Sequence, residues 1–310
     1  MAKYIAKRIL ISVLTLLLIL FVLFLTLSLM PGSPFNDEKL NQKQKEALYR
    51  KYGLDKPFFV RFFKYVVAMV QGDLGDSYVI NKNKPVAEMV AGPLGVSIKI
   101  GFLGMLLGSA LGLLLGISAA LHHNSFVDSF SSVVSILGIS VPSYVFALLL
   151  VYFVGYRMNL IPVLYTSKNL VGSYIGPMIA LAMSPMASVS RFTRTEMIDV
   201  LGSDYVLLVK AKGVKQKDLI AKHALRNTLI PIITIMGPIL VNLLTGSMVV
   251  EKVFGVPGIG TMMVTAIQSN DYNVVIACAF IYSLMYIVMM LIIDVLYGVI
   301  DPRIRVAKEN

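Results

Sequence analysis

The segment YVLLVKAKGVKQKDLIAKHALRNTLIP, residues 205–231, decides the fold class because it is a lysine-rich, helix-forming loop between two very apolar segments. Such a loop is too polar to lie in lipid, so we expect it to stand in water and to contact another molecule there. Ser203 or Asp204 can cap a first short helix, and Gly213 is placed to end it. A second helix begins near Lys215. The segment therefore predicts a helical hairpin that protrudes from a membrane.

Apolar residues dominate the chain outside this loop. Hydrophobic residues make up 57% of the 310 residues and charged residues 15%, against about 25% charged residues in soluble domains. The net charge of +11 does not indicate nucleic-acid binding, because the basic residues flank apolar segments and form no groove studded with aromatic side chains. They indicate retention on the cytoplasmic side of a membrane. The composition therefore predicts an all-α integral membrane protein that contacts lipid and no nucleic acid.

Six apolar segments are long enough to cross a hydrocarbon core, which takes roughly 20 helical residues. They cover residues 9–30, 96–121, 127–155, 171–189, 229–250 and 273–300. The first segment is longer than the core of a signal peptide, and Pro31-Gly32-Ser33-Pro34 follows it instead of a small-x-small cleavage site. We therefore expect this segment to remain as an anchor, and we predict six transmembrane helices.

The short basic loops predict the orientation, because cytoplasmic loops carry an excess of Lys and Arg. The N-terminal tail, the loop 190–228 and the tail 301–310 are all basic, and six spans place them on one side. We therefore predict cytoplasmic N and C termini. Residues 1–30 form the tail and first helix, and residues 96–300 form a five-helix transmembrane core that includes the loop 190–228.

Residues 31–95 are then an extracytoplasmic region between the first two helices, since loops of this length cross a membrane largely regardless of charge. Residues 42–52 and 57–70 are predicted helices, ended by Gly53 and by Gln71-Gly72-Asp73. We interpret the region as a small cap over the pore mouth. A dedicated binding module is the alternative.

Glycine recurs every four residues along the second span, at Gly104, Gly108, Gly112 and Gly116. Small residues at this spacing let helix backbones approach closely in lipid, so we interpret the glycines as a packing surface, with a substrate groove as the alternative. Pro142 is expected to kink or break the third span, and Pro177 and Pro185 the fourth.

The hairpin segment resembles the cytoplasmic EAA loop of binding-protein-dependent ABC importer permeases, where a membrane subunit docks onto its ATPase. The pattern of that loop is E-A-A-x3-G-x9-I-x-L-P, and Gly213 matches its glycine. The oligopeptide, dipeptide and nickel permease branch reads A-K-G at the turn and H-A-L-R-N before the next span, as residues 211–213 and 223–227 do here. The resemblance assigns ATPase coupling to Leu207, Leu208, Val209, Ala211, Lys212, Gly213, Asp218, His223 and Arg226.

The likeness to the first membrane subunit of that branch covers almost the whole chain. It includes Met30-Pro31-Gly32, Tyr52-Gly53-Leu54-Asp55, Gly72-Asp73-Leu74-Gly75, the run 253–260, Asp271-Tyr272 and Asp301-Pro302-Arg303. The resemblance implies a type I ABC importer permease fold in the cytoplasmic membrane of a bacterium or archaeon. The implied partners are a second, related permease subunit, two ABC ATPase subunits and an external substrate-binding protein. The implied substrates are oligopeptides or dipeptides, and nickel chelates or glutathione-like molecules stay open.

The sequence also lacks the motifs of several enzyme classes. It contains no G-x-x-x-x-G-K-[ST] phosphate-binding loop, no H-E-x-x-H, no C-x-x-C and no G-x-S-x-G. We therefore expect no enzyme activity, cofactor or metal in this chain, and we assign ATP and magnesium to the partner subunits. The runner-up function is an ion-coupled secondary transporter, which would require central polar sites and usually internal repeats of broken helices.

Polar or aromatic side chains on the third and fifth spans are candidates to line the translocation pathway, because their hydrogen-bonding groups would stay unsatisfied in lipid. They are Ser140, Tyr144, Asn242, Thr245 and Ser247. The alternative is that they form hydrogen bonds between helices of the same subunit. We interpret Asp294, in the last span, as half of an ion pair near the cytoplasmic surface, although an acid within a span also suits an ion relay.

Overall fold

The computed structural model describes residues 2–29, 42–51 and 53–300. These residues are almost entirely helical and contain no strand beyond one bridge between Asp76 and Pro85. The helices are α1 (Ala2–Leu29), α2 (Gln42–Lys51), α3 (Phe58–Val70), α4 (Val86–Leu121), α5 (Phe126–Ser140), α6 (Ser143–Leu149), α7 (Leu170–Leu201), α8 (Asp204–Ala211), α9 (Gln216–Asp218), α10 (Leu225–Phe254), α11 (Ile259–Gln268) and α12 (Tyr272–Ile300). The predicted all-α fold is confirmed. The predicted tail 301–310 and residues 31–41 of the predicted cap lie outside the described residues.

Four helices in the described part of the chain are long and apolar enough to cross a membrane, and they lie in α1, α4, α7 and α12. The count rises to the predicted six if each of two bent helix pairs is one span. In the first pair, α5 meets the helical segment Ser143–Arg157 at 104°. The second pair consists of Ser247–Phe254 and Ile259–Gln268. The single helix α10 covers all of the predicted fifth span, residues 229–250.

α4 and α7 extend furthest beyond the predicted spans. α4 begins at Val86, directly after Pro85, where Val86 and Met89 are buried. α7 continues past residue 189 to Leu201, because Ser190, Thr193 and Met197 are buried on one of its faces. The first twelve residues of the predicted loop 190–228 therefore prolong a helix.

The chain divides into two compact units, Met1–Ser97 with Pro257–Val288, and Ile98–Val256 with Met289–Asn310. In the second unit, the glycine face of α4 contacts α7 directly. A Cβ atom built on Gly108, Gly112 or Gly116 would lie 2.4, 2.6 or 2.5 Å from a backbone carbonyl oxygen of α7. These distances are too short for any side chain, so the predicted packing role of the glycines is confirmed.

The three prolines singled out in the sequence behave differently. Pro142 lies in the extended connection between α5 and α6, with ψ at 140°, and it produces the predicted break at the 104° bend. Pro177 and Pro185 are buried inside α7, which continues as one helix through both positions. Of the expected kink or break, the break is therefore absent from the fourth span. Close packing holds α7 helical there, since Pro185 lies against the space that Gly108 leaves open.

In the first unit, a buried carboxylate joins the loop after α3 to the start of α12. Asp271 accepts hydrogen bonds from the Ser77 hydroxyl at 2.5 Å and from three successive backbone N–H groups, those of residues 78–80, at 3.0 Å each. Asp271 and Ser77 are both fully buried. The predicted helices α2 and α3 are also present in this unit, and Gly53 ends α2 with φ at +66°.

Candidate functional site

The hairpin predicted at residues 205–231 is present and belongs to the second unit. α8 begins after Ser203, whose backbone is extended, and Asp204 in its first turn complements the positive end of the helix dipole. Gly213 follows the last turn with φ at +75°, the left-handed conformation that favours glycine. The chain then re-enters a helix at Gln216 and continues through π-helical turns at Leu219–Ala224 into α10. The predicted order of helix, glycine turn and helix is confirmed.

One side of the hairpin is anchored in the helix bundle. Val206 and Ala224 are fully buried, and Ala224 packs in an apolar cluster with Ala120 of α4 and Met197 of α7. Thr228 is also buried and donates its hydroxyl to the Ala224 carbonyl at 3.0 Å. Because several helices hold it, the hairpin is positioned to move with α4, α7 and α10.

A hydrogen bond also joins the two arms of the hairpin. The side-chain amide of Asn227 donates to the Tyr205 hydroxyl at 2.7 Å. Asp218 pairs with Lys222 one turn later at 2.9 Å, an exposed pair of the kind that contributes about 0–1 kcal/mol. The arms are therefore coupled mainly through the Tyr205 contact and the buried apolar residues beneath it.

The opposite side of α8 is open and apolar. Leu207 and Leu208 are 53% and 58% exposed, although the surrounding loop is polar. The predicted coupling residues Ala211, Lys212, Gly213 and Arg226 are exposed, while Val209, Asp218 and His223 are partly buried. The structure thus brings Leu207 and Leu208 beside the basic end of α8. The two leucines form a small apolar surface on an otherwise polar loop.

The predicted pathway residues do not form one cluster. Ser140 and Tyr144 are exposed on either side of the Pro142 bend. Ser247 is 1% exposed and donates its hydroxyl to Glu251 Oε1 at 2.9 Å. This hydrogen bond lies within α10 and does not join two helices, so Ser247 stays a predicted pathway residue that is buried within this chain. The side chains of Asn242, Thr245 and Asp294 lie outside the described residues.

The sequence interpretation missed the buried acid Glu251. The predicted fifth span ends at residue 250, but α10 continues to Phe254 and buries Glu251 completely. Gly255 ends the helix with φ at +64°. The signal was in the sequence, because a glycine after an apolar residue is the usual helix C-terminus.

A second missed group joins α5 to α7. Arg194 donates Nε to Asp128 Oδ1 at 2.5 Å and Nη2 to Asp128 Oδ2 at 2.9 Å, and the Asn124 N–H also donates to Oδ2 at 2.9 Å. His123 Nδ1 lies 3.1 Å from the same oxygen. This two-point contact is specific to arginine and fixes the start of α5 against α7.

Beside this contact, α5 and α7 enclose a polar cavity of about 400 Å³, which Ser131, Ser135, Ser190 and Arg194 help to line. The two serines of α5 are four residues apart and therefore share one helix face. Among the described residues, no group of three or more His, Cys, Asp and Glu side chains could hold a metal ion. The described geometry thus contains a contact surface, a bent helix pair and a polar cavity.

Comparisons with known protein families match nearly the full length of the chain. The family described as "Binding-protein-dependent transport system inner membrane component" matches residues 112–306. A second family, described as "Binding-prot-dependent transport system membrane comp, N-term", matches residues 1–86. The first match includes the hairpin and the bent α5–α6 pair.

Relatives in three bacteria are similar over their entire length. The dipeptide transport system permease protein DppB of Lactococcus lactis subsp. cremoris is 43% identical over 305 residues, which is 98% of this chain and 100% of the relative. The protein of the same name in Bacillus subtilis is 36% identical and covers 100% of both chains. The oligopeptide transport system permease protein OppB of Haemophilus influenzae is 36% identical over 98% of this chain and 100% of its own.

Two solved structures share the fold at low sequence identity. A structure of the MetNI methionine ABC transporter in inward-facing conformations has a TM-score of 0.57 at 13% identity, and covers 69% of this chain and 97% of its own. An amino acid ABC transporter with histidines has a TM-score of 0.54 at 17% identity, and covers 67% of this chain and 92% of its own. About two thirds of the chain therefore adopts the fold of ABC importer membrane subunits.

Proposed function

We propose that this chain, which belongs to the family of inner membrane components of binding-protein-dependent transport systems, forms half of the translocation pathway of an ATP-driven peptide importer. The chain is a membrane permease subunit of this family, with apolar helices long enough to cross the membrane. The peptide substrate is inferred from relatives named for dipeptide and oligopeptide transport, which match 98% or more of this chain and 100% of their own length.

The observation that carries the proposal is the hairpin with one anchored and one open side. Covering an exposed apolar side chain with a partner stabilises the complex by about 25 cal/mol for every Å² of apolar surface removed from water. Leu207 and Leu208 are exposed on a polar loop, whereas Val206, between Tyr205 and these leucines, is fully buried. This arrangement supports docking of α8 into an apolar groove on an ATPase subunit, with the nearby Lys210 and Lys212 at its rim.

The buried side of the hairpin supports the coupling step. When ATP and magnesium close two ATPase subunits around α8 and its counterpart in a second, related permease subunit, α8 moves as a rigid body. The cluster of Ala120, Met197 and Ala224 transmits this movement to α4, α7 and α10. The chain itself then hydrolyses no ATP. It changes which side of the membrane the pathway opens to, and an external binding protein delivers the peptide.

The pathway is assigned to the interface with the second permease subunit. Ser140 and Tyr144 remain candidate lining residues because they are exposed at the bend, where the extended backbone at Val141 interrupts the helix. Polar backbone groups at membrane depth are tolerated where they line a cavity or are buried in protein. This placement favours these two residues over the buried Ser247.

Replacing Leu208 with Glu tests the docking surface. Losing a central apolar contact in an interface costs about 2 kcal/mol or more, which corresponds to roughly 30-fold weaker binding. We expect Leu208→Glu to insert into the membrane normally but to lose the ATPase subunits during purification. Leu160→Glu is the matched control, because Leu160 is 67% exposed outside the hairpin. Equal retention of ATPase subunits by the wild type and Leu208→Glu would refute docking at α8.

The orientation is proposed from the basic loops. It places the hairpin in the cytoplasm and α2 outside, and both carry exposed lysines that cysteine can replace. In a Cys278→Ala background, Lys43→Cys should react with an impermeant thiol reagent added to intact cells, and Lys215→Cys should react only after lysis. The reverse labelling pattern would overturn the orientation.

A further inference from the structure

The helix α3, Phe58–Val70, presents three different faces. Phe62 and Met69 are buried on the first face. On the second, large apolar side chains are at least half exposed, and they are Phe59, Val60, Phe63, Val67 and Val70. Arg61 and Lys64 lie between these two sectors of the helix, at 100° per residue. A helix with separate packing, apolar and basic faces is typical of an element that lies in a membrane interface.

The contacts of α3 place it near the end of a membrane span. Phe62 packs edge-on against Phe21 and Phe24 of α1, at ring distances of 5.4 and 5.8 Å. The apolar span of α1 runs from Ala6 to Leu29. At 1.5 Å per residue, Phe24 and Phe21 lie roughly 8 and 12 Å below the end of that span. Interfacial helices bury their apolar face about 5–10 Å into the boundary between headgroups and acyl chains.

The surface around α3 is continuous with surface that faces lipid. Only 11% of the most apolar stretch of α1 is buried within the chain, and Val22 and Leu25 are exposed beside the residues that contact α3. With 13 residues, α3 is about 20 Å long, too short to cross a hydrocarbon core of about 30 Å. An apolar face at this depth on so short a helix fits lipid contact along the membrane plane.

The basic face of α3 fits the same placement. The Arg61 guanidinium lies 5.5 Å from the centre of the Phe24 ring, and Arg61 and Lys64 border a cavity of about 280 Å³ that both acidic residues, Asp73 and Asp76, and apolar residues also line. Basic side chains on the polar edge of such helices reach toward phosphate headgroups and water. This cavity and the exposed apolar face thus lie on different sides of α3.

We propose that α3 is an interfacial anchor, embedded in the lipid leaflet at the C-terminal end of α1. Phe59, Phe63, Val67 and Val70 contact lipid, and Lys64 contacts headgroups or water. This assignment changes the interpretation of residues 57–70 from part of a cap over the pore mouth to a membrane-bound support. It fixes the loop after α3, which Asp271 binds, at a defined depth relative to the bilayer.

Nitroxide labels on α3 test the proposal, because Cys278 is the chain's only cysteine and can be replaced by Ala. Phe63→Cys, Val67→Cys and Val70→Cys would be labelled separately and reconstituted in liposomes, as the full chain alone and with cysteine-free partner subunits. Power saturation with oxygen and with a water-soluble nickel chelate then distinguishes lipid, water and protein around each label. Lys64→Cys is the matched control on the same helix.

Lipid contact predicts high oxygen access and low nickel access at residues 63, 67 and 70, with an oxygen-to-nickel ratio several-fold above that of residue 64. High nickel access at the three positions would overturn the proposal in favour of a water-exposed cap. Low access to both reagents in the assembled complex would overturn it in favour of a protein partner. If the Phe63→Cys variant fails to fold, the two valine variants decide the result, since each removes less apolar volume. The readout requires no transport, so it stays separate from the proposed function.

Discussion

Gly213 allows the coupling hairpin to be perturbed without a steric clash. Its φ is +75°, and a Cβ atom built on it would meet no other heavy atom within 4 Å. A substitution there acts through the backbone alone. The left-handed conformation costs an L-residue about 1–2 kcal/mol relative to glycine, and a β-branched residue is the least suited to it. Gly213→Val therefore reduces the population of the native turn about 5- to 30-fold relative to competing conformations.

The consequence for coupling follows from the position of the turn. It sets the angle at which α8 leaves the second arm of the hairpin, so a different turn moves Leu207 and Leu208 away from the groove that we propose on an ATPase subunit. We expect Gly213→Val to insert normally, because it alters no span, and to lose ATP-driven uptake. Gly213→Asn should keep most of the activity, since asparagine tolerates the left-handed region. Gly202→Ala is a second control, because φ at Gly202 is −83°.

Three quantities measured on one preparation check this prediction. They are co-purification of the ATPase subunits, stimulation of ATP hydrolysis by the loaded binding protein, and peptide uptake. Normal values of all three for Gly213→Val would remove the hairpin from its coupling role. An equal loss in Gly213→Val and Gly213→Asn would refute the backbone reasoning, even if the hairpin does couple.

Two further predictions concern packing and polar contacts elsewhere in the chain. Asp271→Asn weakens hydrogen bonds to a charged group, each worth about 1.5–3 kcal/mol, and these bonds hold the loop that contains Lys82. Trypsin should therefore cleave this variant faster at the exposed Lys82, whereas Asp76→Asn, at an exposed position, should leave the cleavage rate unchanged. Equal cleavage rates in both variants would contradict the role of Asp271. Gly112→Ala forces α4 and α7 apart and should lower the free energy of unfolding by about 1–3 kcal/mol. Gly92 has open space around it, so Gly92→Ala should not lower it. An unchanged melting temperature for Gly112→Ala would refute close packing at Gly112.

The hairpin could be predicted from the sequence because its signals are local. An acid in the first turn, a short run of helix formers and a glycine suffice to predict where α8 begins and ends, although the Ser203 hydroxyl donates to the Val200 carbonyl and does not cap the helix. The four-residue glycine repeat also predicted a packing surface correctly, because small residues at this spacing let two helix backbones approach closely. Its partner α7 could not be predicted, because the repeat marks one face of a pair and leaves the other face unidentified.

The prolines and Glu251 show where local signals fail. Pro142 breaks a span and Pro185 does not, although both lie in apolar segments, because close packing around Pro185 preserves the helix. The predicted fifth span ends at residue 250, yet α10 continues to Phe254, and Ser247 one turn before Glu251 donates a hydrogen bond to it. At Pro185 the neighbouring residue Gly108 of α4 lies far away in the sequence. The same limit applies to the pathway residues, whose surroundings depend on a second subunit.

ATP-driven uptake in a defined system tests the central claim most directly. The chain, its partner permease, the ATPase subunits and the binding protein would be reconstituted in liposomes, with a labelled dipeptide outside and ATP sealed on the hairpin side. The account predicts uptake that requires ATP, the binding protein and an intact α8 surface, and that needs no ion gradient. Uptake driven by an ion gradient without ATP, or by this chain without its partners, would contradict it.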